Sequence, residues 1–279
     1  MDFPNDHQSV EPTWPQRGRI AFEHVDVRYN NEANLALDDI NFEIQGGTRL
    51  GVCGRTGSGK TTLINSLFRL REIESGKIKI DGIDIAAISR LALRSRLTII
   101  PQDPVLLATS LRDNLDIANC WSDDDIWKAL ESVHVRPFRC PITTTSSHVE
   151  GLPAKLDTTI KNDGDTFSRG QRQLLCLARA MLSRNKKIVA IDEGTSSIDQ
   201  LTENALQEAL RDAFRSCTVL IVAHRIHTIE NSSDMIAVLD GGRLVEYDAP
   251  QELVKNEGGY FYKLAREEKE NDTDLIDLD

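Results

Sequence analysis

Nine consecutive residues, Gly54 to Thr62 (GRTGSGKTT), have the types and spacing needed to hold phosphate. They satisfy G-x-x-x-x-G-K-[ST] after a short apolar strand and at the opening of a helix. Across Gly54, Arg55, Thr56, Gly57, Ser58 and Gly59 the glycines let backbone N–H groups wrap phosphoryl oxygens, and the helix start adds a fixed positive end. Lys60 is placed to reach β- and γ-phosphates, and Thr61, followed by Thr62, to set a hydroxyl on Mg²⁺. Far downstream, Asp192 and Glu193 end the apolar run KIVAI. There Asp192 would hold Mg²⁺, usually through water, and Glu193 would polarise an attacking water. Gln102, directly after TIIP, is an amide able to contact both the Mg²⁺ and the water, though alone it reads as an ordinary loop residue. His224, after TVLIVA, could donate to a γ-phosphate; a lone His at a strand end is more often a cap or surface residue. His134 and His227 lack comparable placement and read as structural. A third feature lies between the two phosphate-directed groups. Ser168, in Phe167-Ser168-Arg169-Gly170-Gln171, is a good N-cap for a helix whose next N–H groups have no internal partner and can present an anion site.

These residues need elements to hold them. Ile20 to Tyr29 and Leu35 to Gln45 alternate apolar and polar residues, which is antiparallel strand material. TRLGVCG is a short buried strand ending at Gly54, and Lys60 to Leu70 has helical spacing of Leu63, Leu67 and Leu70. Lys77 to Ile85 predicts a hairpin with an Asp-Gly turn. Arg96 to Pro104 is a strand stopped by two prolines. Two helices are predicted between Ser110 and Val133, the second with Ser122 and Asp125 at capping-box spacing. Strand and helix then alternate to the end. The pattern predicts an α/β fold with a mainly parallel sheet, an antiparallel lobe at the start and a helical insert in the middle. Residues 1–18, with Pro4, Pro12, Trp14 and Pro15, read as an extended linker. The closing EEKENDTDLIDLD reads as a solvated, mobile acidic tail.

Composition excludes several classes of function. Of 279 residues 40% are hydrophobic and 28% charged, which suits a soluble globular protein with a sizeable core. No apolar run approaches the roughly 18–20 residues needed to span a bilayer, and MDFPNDHQSVEP has no signal-peptide segment. Membrane contact is therefore expected only through partner domains. The net charge of −11 argues against nucleic acid, which needs a basic footprint. Five scattered cysteines show neither metal-ligand nor disulfide spacing and fit a reducing, cytosolic compartment.

The order aromatic, GRTGSGKT, Gln102, FSRGQ, AIDE, SSID, His224 resembles the ATP-binding cassette superfamily over nearly the whole chain after residue 18. A Ser-x-Gly-Gln segment opening a helix between phosphate loop and acidic strand end separates that superfamily from other phosphate-loop proteins. The resemblance implies a P-loop NTPase (RecA-like) sheet core, a cassette over residues 19–266, a helical insert over about 104–183 and an acidic tail at 267–279. It implies ATP and Mg²⁺, with Tyr29 stacking on adenine. Ser168, Gly170 and Gln171 would bind the γ-phosphate held by an opposite cassette, and Ser196-Ser197-Ile198-Asp199 would cross between the two.

WPQRGRIAFEHVDVRY, LRSRLTIIPQDPVLL, FSRGQRQLLCLARAML and DEGTSSID further resemble the C-terminal cassette of subfamily C exporters, of the multidrug-resistance-associated and sulfonylurea-receptor type. That likeness implies ATP hydrolysis powering export at the cytosolic face of a plasma, vacuolar or other organelle membrane, with transmembrane domains and an unlike second cassette as partners. The alternatives are a channel-gating or regulatory cassette, and a truncated cassette without transport activity. Arg169 stands where the superfamily usually has Gly, and Gly194 where Ala is common. Arg169 either reaches the partner's phosphates or points to solvent while its bulk loosens backbone approach.

Overall fold

A computed structural model describes residues 9–29, 34–101, 105–133, 155–160, 167–183, 186–192, 210–222 and 226–276. They fall into two compact units, one of residues 1–98, 186–193 and 216–279, the other of residues 99–185 and 194–215.

The first unit contains an antiparallel sheet of β1 (Ile20–Arg28), β2 (Leu35–Ile44), β4 (Ser75–Ile80) and β5 (Ile83–Asp84), in the order β2-β1-β4-β5. Ile20 faces Ile44 and Phe22 faces Phe42, so one face of the alternating pattern is buried. The register shifts after Phe22, where His24 takes a left-handed backbone (φ 51°) and an extra residue turns Val25 inward again. The β4–β5 turn is Asp81-Gly82, with φ 48° and 81°, the two positive values a two-residue hairpin requires.

A second sheet runs β10-β9-β3-β8-β7-β6, from β3 (Arg49–Cys53), β6 (Leu97–Ile100), β7 (Ile188–Asp192), β8 (Thr218–Val222), β9 (Met235–Asp240) and β10 (Arg243–Asp248). Strands β9, β3, β8 and β7 are mutually parallel where they pair, and β10 closes the edge antiparallel to β9. Strands β7 and β8 are buried at every residue, as their unbroken apolar runs require when both faces are covered. Helices α1 (Lys60–Leu67), α2 (Arg90–Arg94), α6 (Ile226–Ser232), α7 (Pro250–Lys255) and α8 (Tyr260–Ile276) complete this unit.

The second unit holds α3 (Leu111–Leu115), α4 (Asp123–Ser132) and α5 (Arg169–Met181). Leu111, Leu115, Ile126, Leu130, Leu174 and Leu177 are buried where these helices pack. Buried Asn114 bonds Leu107 through its side chain on both the N–H and the carbonyl side, and its own carbonyl accepts from Arg179 Nε at 2.7 Å. Ser122 caps α4, accepting from Asp125 N at 3.2 Å.

Three expectations need correction. Residues 9–18 are folded onto the first unit: Trp14 is buried, its indole donates to Ile80 O at 3.2 Å, and Asp81 accepts N–H bonds from Arg17, Gly18 and Arg19. One indole's apolar area and one carboxylate outweigh the extended preference of the prolines. The helix after the phosphate loop stops at Leu67, because Arg69 turns left-handed (φ 49°), which leaves Leu70 exposed. The tail as far as Ile276 is the continuation of α8, whose earlier turns are anchored by buried Phe261.

Candidate nucleotide site

The parallel register brings the phosphate-directed residues to one edge. Val52 of β3 pairs with Val222 of β8, and Val222 pairs with Asp192 of β7, so the three strands end at one level. The phosphate loop leaves β3 there, beside buried Asp192, at the carboxyl edge where open α/β sheets bind ligands.

The loop's shape depends on its glycines. Gly54 has φ 145° and an added Cβ would stand 2.1 Å from Leu239 O; Gly59 has φ 105° and its Cβ would meet Ala36 O at 2.7 Å. Gly59 is also the N-cap of α1 and offers no side chain to its first turn. By contrast α2, α3, α4 and α5 begin at Ser89, Ser110, Ser122 and Ser168, each of which accepts a first-turn N–H. Helix α1 therefore keeps first-turn donors for an anion. Lys60 Nζ turns back onto the loop, donating to Gly54 O at 2.9 Å and Arg55 O at 3.0 Å. The Ser58 hydroxyl is buried with no partner among the described residues, a polar atom whose cost a phosphoryl or metal-bound oxygen would offset. Thr61 is exposed at the mouth of the loop and Asp192 stands at the sheet edge. Hard oxygen donors of this kind fit Mg²⁺.

Tyr29 lies against α1, its hydroxyl sharing a 3.2 Å hydrogen bond with Thr62 Oγ1. The Arg71 guanidinium covers one ring face, 4.4 Å from the centroid. Sequence reading missed Arg71, which belongs to no motif. It also missed the Arg55–Glu267 ion pair at 2.7 Å, since 212 residues separate the partners. Burial pushes the Cys53 thiol, one residue before the loop, up to about 12, against the pull of the Lys60 ammonium.

In the second unit the Ser168 segment forms a complete capping box. Ser168 Oγ accepts from Gln171 N at 3.2 Å, and Gln171 Oε1 accepts from Ser168 N at 2.8 Å. Gly170 is half-buried in the first turn. Gln102, Glu193, His224 and the stretch from Ser196 to Asp199 lie outside the described residues, as does the side chain of Arg169.

A family model described as ABC transporter matches residues 37–196, more than half of the chain. This chain belongs to the ABC transporter family. Among curated ABC relatives, ATP-binding cassette sub-family C member 2 of Rattus norvegicus is 48% identical over 265 residues, spanning 94% of this chain and 16% of that protein. ABC transporter C family member 2 of Dictyostelium discoideum is 43% identical, spanning 91% of this chain and 17% of the relative. Both relatives are C-family members to which the cassette is similar, and the chain spans about a sixth of their length. A solved bacterial Atm1-family ABC exporter with ATP bound superposes at TM-score 0.83 with 30% identity, over 96% of this chain and 44% of that one. No described helix of this ABC chain is long and apolar enough to cross a membrane.

Proposed function

We propose that this chain binds and hydrolyses ATP as the nucleotide-binding cassette of an exporter, working at the cytosolic face of a membrane with transmembrane domains and an unlike second cassette. The cassette proper is residues 19–266, with its helical insert over about 104–183. The convergence of the phosphate loop and Asp192 on one sheet edge carries this reading, through the register Val52–Val222–Asp192. The likeness to sub-family C members and to an exporter with ATP bound supports it.

Residues of this chain then divide the work. Backbone N–H groups from Gly54 to Thr62 hold the phosphates, and Lys60 leaves the Gly54 and Arg55 carbonyls to balance their charge. Tyr29 stacks on adenine, with Arg71 holding its other face. Thr61, Gln102 and Asp192 would hold Mg²⁺, which supplies neutralisation of charge on the phosphate oxygens. Glu193 orients and polarises the attacking water, and His224 donates to the γ-phosphate; neither needs covalent chemistry. Ser168, Gly170 and Gln171 serve the site of the opposite cassette. Glu193→Gln in the assembled transporter is expected to abolish ATP turnover and leave ATP binding intact, measured by phosphate release and by labelled-ATP retention. Turnover at the wild-type rate would sink the assignment.

A further inference from the structure

Tyr29 follows β1 directly, and the chain returning from the far end of α1 is fastened to the same stretch. Arg69 turns left-handed (φ 49°) after α1, and the Arg71 N–H donates to Asn65 O at 3.2 Å, so the chain doubles back against its own helix. Glu74 N then donates to Asp26 O at 2.7 Å, and the Glu74 carboxylate accepts from Arg28 Nε at 2.8 Å. Ser75 pairs with Asp26 in the sheet, so residues 71–75 lie beside the end of β1. This return brings the Arg71 guanidinium over one face of the Tyr29 ring, 4.4 Å from its centroid. The acidic neighbours of Arg71 are engaged elsewhere: Glu72 accepts from Arg69 and Arg90, and Glu74 from Arg28. The Tyr29 hydroxyl is held separately, sharing its 3.2 Å hydrogen bond with the buried Thr62 in the first turn of α1. Tyr29 and Arg71 are both half-buried.

We propose that Arg71 is a positioning residue for the nucleobase, acting through Tyr29. The phenol oxygen lies on the axis about which the ring turns, so the Thr62 hydrogen bond fixes where the ring sits and leaves its rotation free. A guanidinium drawn to one ring face removes that rotation, and its pull strengthens as water is excluded. The opposite face is then presented to a base at a set angle, and offset stacking depends on that angle. Because the ring is ordered before the nucleotide arrives, less freedom is lost on binding. The effect belongs to the base alone, since the phosphates are held by Gly54 to Thr62. This inference rests on the proposed ATP reading of the site and goes beyond it, giving base affinity to a residue outside every motif.

The test measures dissociation constants by calorimetry for the 279-residue chain as wild type, Arg71→Ala, Arg71→Lys, Tyr29→Ala and the Tyr29→Ala, Arg71→Ala double variant. Two probes are used with Mg²⁺: a non-hydrolysable ATP analogue, and inorganic tripolyphosphate, which has no base. Arg71→Ala is expected to weaken the analogue about 3–10-fold and tripolyphosphate by less than about twofold. Tripolyphosphate binding at wild-type strength also shows that the variant's phosphate loop is folded. Arg71→Lys keeps a cation and should recover part of the loss. With Tyr29 already replaced by Ala, removing Arg71 should cost nothing further, because the two act as one unit. In the assembled transporter the Arg71→Ala loss should appear in half-saturation by Mg-ATP, with turnover at saturation within about twofold of wild type. Equal weakening of both probes would mean that Arg71 acts on the phosphates through its charge, and overturns the proposal. So does an unchanged analogue affinity in Arg71→Ala, or a full further loss on top of Tyr29→Ala. If wild type binds neither probe and Lys60→Ala changes nothing, the ATP reading itself falls and takes the role of Arg71 with it.

Discussion

Cys53 shows how completely the floor of the phosphate loop is dry. The side chain is fully buried, and burial raises its pKa from 9.0 to about 12, outweighing the opposing pull of Lys60. Burial raises Cys176 and Cys217 in the same direction. A folded-state pKa above the unfolded one means that the folded chain keeps a proton the unfolded chain releases. The stability tied to that neutral thiol is therefore complete below pH 9 and is lost as pH rises from 9 towards 12. Two outcomes follow at this scale. Iodoacetamide at pH 8 should modify exposed Cys120 well before Cys53, read by peptide mass spectrometry. The urea midpoint should fall between pH 9 and pH 10.5 and fall less steeply in Cys53→Ala. Prompt labelling of Cys53 in the folded chain would contradict its enclosure.

Between elements, the tightest constraint is where β3 meets α6. A Cβ on Gly51 would stand 2.0 Å from Ile229 Cγ2 and 2.7 Å from Ser233 Oγ, so strand and helix touch only because this residue has no side chain. Gly51→Ala should cost about 1–3 kcal/mol through overpacking, seen as a lower urea midpoint. Gly47→Ala meets nothing within 4 Å, but its φ of 81° makes it a poor control, whereas Gly258→Ala meets only Asn256 Oδ1 at 3.7 Å and should change little. Gly51 also shows what was legible in the sequence. GVCGRTGSGKTT announced a strand, a loop and a helix because all three obey local rules of spacing and small residues. The Ser122 and Ser168 caps and the Asp81-Gly82 turn were equally local, whereas the caps Ser89 and Ser110 went unread. Leu70 misled because helical spacing continues past the residue where Arg69 turns left-handed. Trp14, Glu267 and Glu268 were opaque for another reason: their partners Ile80, Arg55 and Ile226 lie 66, 212 and 42 residues away, and no local pattern encodes such distances.

For the whole molecule, nucleotide should behave as a structural component. A ligand that binds only the folded form stabilises it by about 2.7 kcal/mol at a hundred times its dissociation constant. Mg-ATP should accordingly raise the thermal midpoint of wild type by several degrees and leave Lys60→Ala near its ligand-free value; equal shifts in both would remove Lys60 from the site. The chain at residues 9–18 is fastened by Trp14 and Asp81 to the β4–β5 turn, and Gly18 O accepts from Thr218 Oγ1 at 2.6 Å. Thr218 is the first residue of β8, a strand buried along its whole length, whose last residue Val222 stands two positions before His224. A tug on the chain ahead of Ser9 therefore reaches the root of a short stiff rod, about 17 Å long, whose far tip is the nucleotide edge. Strand β8 would work as a pushrod, transmitting load along its axis.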